Sequence, residues 1–534
     1  MTIDINLFIW SITILPILVL LLLMVKFKIP AAKAAPIGLV TALIIALLVY
    51  RANWSLIAIE SAKGLWNAFT ILIVVWPAIL IYEVTNEANA FDAFRIGMQK
   101  LSPNELLQIL AIGWVFVSFL QGITGFGVPI AVGAPLLIGI GVQPIWAVVI
   151  PLLAHAWAGT FGTLAVAWNS LLFQTGYSGT TMANTIGIWA TAFIWITNLI
   201  AGLSICYFYG KWKGVRKGFI AVLSISIIHG GGQMILSQIN QTLAAFLPTC
   251  IALGAVFLLG KSKFYKEKWD ISNSEIMDRK NTKLLAVDSN ITISEAFLPY
   301  YVLTFITLFI LLIPPVNKFL SSWKVGFSFP ETSTGYGIIN EAITLYSPIS
   351  PFTHASTFLL ISGLIGYSYL YSKGKIKKGG GKRIFRNIVK KTTPSSIAIV
   401  CLIIMSRIMS GTGQTTVLAT GTSMVLGKAY VIVAPLIGLL GSFMTSSNMS
   451  SNILFGGFQK TTSELLGLNQ AAIIGAQTAG GAIGNAMAPG SIILGTTTAK
   501  ILGSEGEVLK RTLPIAIGTS VLCGIILYIA LIII

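Results

Sequence analysis

The 534-residue chain predicts an all-α polytopic membrane protein of about 12 to 14 membrane segments, built as two pseudo-repeats with broken helices and re-entrant, hairpin-like stretches. Three observations carry this expectation. Hydrophobic residues make up 55% of the chain and charged residues only 10%, with a mean hydropathy of +0.85. The tract from Leu106 to Gly210 contains no Asp, Glu, Lys or Arg, which no ordinary water-facing domain would sustain over that length. Finally, two polar runs rich in glycine and serine, Gln121 to Ile130 and Gly441 to Asn452, interrupt tracts otherwise suited only to a membrane. In hydrocarbon every peptide group needs a partner within the protein, so such runs must line a protein-walled cavity. Glycine also serves close helix packing, but packing alone accounts poorly for glycine, proline and amide side chains clustering together.

The first segment, Leu7 to Val25, is too long for a signal-peptide core and is followed, not preceded, by Lys26 and Lys28, so it is expected to remain as a membrane helix. The net charge of +18 is confined to short connectors, which argues for orientation in a bilayer and against nucleic acid. Lys26 to Lys33, Lys211 to Lys217, Lys261 to Lys283 and the run Lys373 to Lys391 are expected on the cytoplasmic side, with the N-terminus extracellular and the chain multi-pass in the plasma membrane. The organisation read from these shifts is an N-terminal membrane half at 1–260, a polar connector at 261–294 and a C-terminal membrane half at 295–534 with a basic loop at 372–391. Glu83 and Glu87, at the end of an apolar helix, are expected to face water or headgroups. Cys206, Cys250, Cys401 and Cys523 have no paired spacing and apolar neighbours, so they indicate neither a metal cluster nor a disulfide framework.

Sliding the chain on itself by 326 places Gly141-Val142-Gln143 over Gly467-Leu468-Asn469, and Gln121 over Ser447. Each polar run is followed, after an apolar segment, by a second soft stretch, His155 to Gly162 and Gln477 to Gly490. Interrupted segments at matching positions of two halves are the best sequence pointer to a transporter's binding site.

Ser446, Ser447, Asn448, Ser450, Ser451 and Asn452 form a run of hydroxyls and amides that can cap two half-helices and offer free amides to a carboxylate; the alternative is a serine-rich surface turn. Gln477, Thr478, Gly480, Gly481 and Asn485, ending at Pro489, predict a second helix break whose peptide groups need partners. Arg407 is the only formal charge from Ser395 to Gly427 and needs a glutamate, a cavity or a bound anion; a guanidinium suits a carboxylate. His155 is the sole imidazole in the charge-free tract, and Glu341 the clearest acidic candidate; these two are the candidates for proton coupling. No nucleophilic triad, metal-ligand set or phosphate loop is present, and no cofactor is implied.

These residues resemble the L-lactate permease family. The resemblance covers most of the chain and is carried by Gly122-Ile123-Thr124-Gly125-Phe126-Gly127-Val128-Pro129-Ile130, Phe161-Gly162, the run Thr445 to Asn452, and Gly480-Gly481 through Ala488-Pro489, with Phe91-Asp92 and Ser102-Pro103 also fitting. It implies a secondary carrier of lactate, and of glycolate as a related 2-hydroxymonocarboxylate, moving with a proton, and it makes Gln121, Gly125, Phe126, Gly127, Phe161 and Gly162 substrate-site candidates beside the residues above. The departures bear on mechanism. Gln121 and Asn448 stand where acidic residues are expected, His155 and Gln477 where asparagines are, and Gly490 where a glutamine is; Arg407 is unexpected. An amide cannot shuttle a proton, so His155 becomes the substitute titrating group. The alternative is a sodium-coupled carrier or an exchanger of another organic anion. A membrane-embedded enzyme or scaffold acting on lipid would call for clustered charges at one membrane face, and the basic run Lys373 to Lys391 lacks acidic partners.

Overall fold

The computed structural model describes residues 6–99, 102–279 and 291–533. The first five residues and the stretch 280–290 of the expected connector, with Lys280 and Lys283, lie outside the described residues. Among the described residues eight helices are long and apolar enough to cross a bilayer. Two bent pairs, Leu7–Thr13 with Leu15–Lys26 (46°) and Leu298–Leu312 with Pro314–Ser321 (86°), bring the spans to ten. The first expected segment is therefore two helices, bent where Pro16 sits in the opening turn of the second.

Thr181–Ile239 runs for 59 residues. At 1.5 Å per residue a straight rod of that length would reach about 90 Å, roughly three times the hydrocarbon core of a bilayer. It doubles back instead. Gly210 and Lys211 leave helical geometry, with Lys211 at φ 50°, and the two arms then pack so that Gly230 lies against Trp195, Gly218 against Cys206 and Gly187 against Ser237. Val128–Gly139 and Pro144–Ala154 are apolar but too short to span, so they enter and return. Some of the dozen or so expected segments are thus parts of broken elements. The extended segments at one face were not foreseen: Val325–Phe329 pairs with Ile343–Ile349, and Thr332–Ser333 with Ile339–Asn340.

The two pseudo-repeats are visible element by element. In the first, helix Val117–Ile123 breaks at Gly125, Phe126 and Gly127, all at positive φ; helices Val128–Gly139 and Pro144–Ala154 follow around a turn at Gly141 (φ 94°), then a 3-10 turn Ala156–Gly159 and helix Gly162–Thr175. In the second, Tyr430–Thr445 breaks at Ser446 (φ 55°); Asn448–Leu465 and Gln470–Gly484 follow around Gly467 (φ 61°), then a 3-10 turn Asn485–Met487 and helix Pro489–Thr498. The units exchange partners: Gly162–Thr175 packs on Asn448–Leu465, as Pro489–Thr498 packs on Val128–Gly139.

Around this core lies a second bundle, in which Gly380–Gly411 packs antiparallel along Trp54–Glu87 and against Ala31–Leu48. Its basic end corrects two expectations. The run Lys373 to Lys391 is helical from Gly380 onward, and Glu83 faces neither water nor headgroups: it is 1% exposed, with Lys391 Nζ at 2.6 Å and Asn387 Nδ2 donating at 3.0 Å. Glu87 likewise meets Arg383 at 2.5 Å. The cations that follow the connector are drawn along the acidic end of the neighbouring helix. The connector residues 261–279 fold over the tip at Gly141, where Asp278 N–H donates to Gly141 O at 2.7 Å and Gln143 N–H to Ile276 O at 2.8 Å.

Helices Tyr430–Thr445 and Gln470–Gly484 touch backbone to backbone: a Cβ on Gly480 would strike the Pro435 carbonyl, and one on Gly438 the Gln477 carbonyl. Gly480→Ala is expected to cost about 1–3 kcal/mol by overpacking and to lower the melting temperature in detergent. Gly254→Ala, on an exposed helix face with open space around it, is the control and should not lower melting.

Candidate functional site

The breaks of the two units meet at a cavity of about 300 Å³. Its core wall comes from Gln121, Phe126, Gly127, His155, Gly162, Thr163, Ser446, Ser447, Asn448, Ser450, Asn485 and Gly490, and its other wall from Pro30–Ala32 and Pro394–Ile399 of the surrounding bundle. Pro30, Pro394 and Gly490 are exposed and mark the mouth, which lies next to the basic connector Lys26 to Lys33. No Asp, Glu, Lys or Arg lines it.

Its electrostatics come from helix ends. Val128–Gly139 starts at Gly127, Asn448–Leu465 at Ser447 and Pro489–Thr498 at Ala488, each with its N-terminal amides at the cavity wall. Proline at N1 or N2 of the first and third of these removes an N–H that no carbonyl could have received, while Ser447 Oγ takes the Ser450 N–H at 3.3 Å. Ser446 Oγ accepts from Gly490 N–H at 3.0 Å and so ties the second unit's two breaks together. A fourth helix, Gly162–Thr175, begins with Thr163, Leu164 and Ala165 all at positive φ. Left-handed backbone at three successive non-glycine residues costs energy and persists only where the surroundings impose it, as they do at ligand sites. Uncharged walls with several positive dipole ends favour a small anion.

Behind the wall the second unit's polar residues satisfy one another. Asn448 Nδ2 donates to Thr160 Oγ1 at 3.1 Å, Asn452 Nδ2 to Thr478 Oγ1 at 2.9 Å and to Ala167 O at 3.0 Å, and Gln477 Nε2 to Ser451 Oγ at 3.1 Å. The Oδ1 atoms of Asn448 and Asn452 are buried without a hydrogen-bond partner. Ser451, Asn452, Gln477 and Thr478 thus stand one layer behind the cavity, while Gly480 and Gly481 serve close packing, the latter against Asn448. Gly125 is held against Thr163, and Phe161 packs tilted against Trp168, 4.7 Å between ring centres.

His155 and Asn485 occupy matching places, each capping the C-terminal end of its unit's second hairpin helix, and they touch across the pseudo-symmetry. Asn485 Nδ2 lies 3.2 Å from His155 Nε2, and Nδ1 lies 2.6 Å from Pro151 O. A carbonyl only accepts, so Nδ1 carries the proton and Nε2 accepts from Asn485; Asn485 Oδ1 in turn accepts from Ser491 Oγ at 2.9 Å.

Arg407 and Glu341 are not brought to the cavity. Arg407 lies eight residues beyond Ile399 on the same helix, about 12 Å further along it. Its Nη2 meets Glu60 Oε2 at 2.5 Å, and Glu60 also holds Lys63 Nζ at 2.8 Å; Glu60 and Lys63 are essentially fully buried. Of the partners left open for Arg407, the structure supplies the glutamate. Glu341 is exposed, between the short strands. Glu60 and Lys63 were missed although their signal was legible, opposite charges three apart in an apolar helix. The wall from Pro394 to Ile399 had its own signal in Pro394-Ser395-Ser396. Removing one member of a buried ion pair costs about 3–5 kcal/mol, so Glu60→Gln, which strands two cations, should lower melting much more than Arg407→Gln, which leaves Glu60 with Lys63. Equal effects would mean that the three charges do not share one site.

The family description "L-lactate permease" matches residues 10–534. The chain is 25% identical over 528 residues to an L-lactate permease of Halalkalibacterium halodurans, covering 96% of this chain and 95% of that one. It is 25% identical over 545 residues to an L-lactate permease of Escherichia coli K12 and 23% identical over 550 residues to that organism's glycolate permease GlcA, each alignment covering 96% of this chain and 94% of the other. A solved transporter structure from Alcanivorax borkumensis aligns over 85% of this chain and 84% of its own with a TM-score of 0.41 and 12% identity, a likeness too remote to assign anything. With paired broken helices around one cavity and a family match over nearly its full length, this chain belongs to the L-lactate permease family of membrane transporters.

Proposed function

We propose that the protein carries L-lactate or glycolate across the plasma membrane by proton symport, holding the carboxylate on the N-terminal amides at Asn448 and Met449 and the hydroxyls at Ser446, Ser447 and Ser450, with Gln121 and Asn485 reading the 2-hydroxyl. The observation that carries this reading is a cavity free of formal charge on which helix N-termini converge, the arrangement that favours a small monoanion. In this reading the basic connectors face the cytoplasm, the N-terminus is extracellular and the cavity opens inward. Arg407, held by Glu60, serves the surrounding bundle, and Glu341 takes no part.

His155 is the coupling group. Proton gain at Nε2 turns an acceptor into a donor, which the Asn485 amide can meet only by turning Oδ1 toward it. Ser491 then loses its acceptor and must reorient at the helix end that faces the substrate. Proton load and anion site are thereby linked through one amide. The proton's charge offsets that of the monoanion.

Purified protein in liposomes should accumulate radiolabelled L-lactate when an inward proton gradient is imposed and release it when an uncoupler collapses the gradient. His155→Gln should abolish accumulation while L-lactate counterflow continues. Uptake indifferent to the gradient would overturn proton symport. A second reading, sodium coupling, is favoured by the unpartnered buried oxygens of Asn448 and Asn452. Replacing sodium with choline decides it, since only a sodium-coupled carrier stops.

A further inference from the structure

A second group of buried polar side chains gathers around His229, and none of them lines the substrate cavity. His229 is fully buried, stacked on Trp157 at 4.4 Å between ring centres and edge-on to Trp114 at 5.7 Å. Its Nδ1 lies 3.3 Å from Asn198 Nδ2 on the opposing arm of the Thr181–Ile239 hairpin. Ser226, His229 and Gln233 share the buried face of one arm. Around this ring the polar atoms go unanswered: His229 Nε2, both amide atoms of Gln233, Asn198 Oδ1, Ser226 Oγ and Trp114 Nε1 are all buried without a hydrogen-bond partner. The backbone is also irregular here, with π-helical turns at Ala111–Phe116, which carries Trp114, and at Ile227–Gly231, which carries His229. Such turns cluster at functional sites.

An unpartnered buried polar group costs about 1–3 kcal/mol, so six atoms in one place are not tolerable in a dry interior. The set mixes donors and acceptors. An anion would want donors alone and a cation acceptors alone; water serves both. We propose that these residues enclose a cluster of bound water and that His229 is a proton-binding site within it, separate from the residues that line the substrate cavity. Neither the water nor the titration depends on the proton-symport reading above.

With Nδ1 accepting from Asn198, the neutral ring carries its proton on Nε2. A second proton, delivered by the water, goes to Nδ1 once Asn198 turns its Oδ1 to accept. Among the described residues, the charged groups of its own hairpin, Lys211, Lys213, Arg216 and Lys217, sit near the bend at Gly210, more than ten residues from the ring. The tract Leu106 to Gly210, which includes the Trp114 turn, the Trp157 turn and the Asn198 arm, has no Asp, Glu, Lys or Arg. Helix Phe246–Lys261, packed beside Ile227–Gly231, carries Cys250 and, at its far end, Lys261. His155, two residues before Trp157, is turned to Pro151 and Asn485. A dry apolar pocket would keep the ring neutral, whereas hydration lets it charge.

Two measurements on the full-length protein, neither involving transport, test this. X-ray radiolytic hydroxyl labelling oxidises side chains beside internal water. Trp114 and Trp157 should label several-fold above Trp168, which is equally buried and has its Nε1 bonded to Gln241, and labelling no higher than Trp168 would overturn the water cluster. Protonated imidazole quenches a stacked indole, so the fluorescence lost on Trp157→Phe should show a quenching step as the pH is lowered. That step should persist in His155→Gln and vanish in His229→Phe, which keeps the stacked ring. A step surviving His229→Phe, or no step in the wild type, would overturn the proton site even if the water is there. Failure of lactate uptake with both results positive would sink the transport reading and leave this site standing.

Discussion

The structure depends on one constraint: a helix broken inside a bilayer must find partners for its freed peptide groups within the protein. This chain breaks helices twice in each unit, and the partners are supplied by the other breaks. Ser446 takes the Gly490 amide, Asn448 reaches Thr160, Asn452 reaches the Ala167 carbonyl, and Asn485 reaches His155. Most of these contacts run between the two units, so neither unit's breaks are satisfied alone. The opening amides of Asn448–Leu465, at Asn448 and Met449, stand at the cavity wall, and in the proposed reading they draw an anion to an uncharged site.

The surrounding bundle follows a different rule. Charges that would be costly in hydrocarbon are paired along two antiparallel helices, Glu83 with Lys391 and Glu87 with Arg383 toward one end, Glu60 with Lys63 and Arg407 toward the other. These pairs hold the helix that carries Pro394 to Ile399 along Trp54–Glu87. The chain thus separates two uses of polarity, formal charge for the scaffold and backbone dipoles for the site.

Much of the core was legible in the sequence because its punctuation is local. The offset of 326 read from Gly141 and Gly467 names the two turns at which the hairpins reverse, both at positive φ, and the polar runs after Gln121 and Gly441 hold the two breaks. What was not legible is long-range. Arg407 looks like an anion receptor until its partner 347 residues away is known. Glu83 looks like a headgroup contact until the helix carrying Lys391 is laid beside it. His229 sits in an unremarkable Ile-Ile-His-Gly-Gly-Gly-Gln stretch, and only the return of the hairpin brings it between Trp114 and Trp157. Periodicity finds where a helix breaks; it does not find what another helix brings to the break.

The central claim is that helix ends, and not a cationic side chain, hold the substrate. The most direct test is an experimental structure of the protein with L-lactate bound. The account predicts carboxylate density against the amides at Asn448 and Met449, with the Arg407 to Glu60 pair intact. Carboxylate density on the Arg407 guanidinium, with Glu60 displaced, would contradict it.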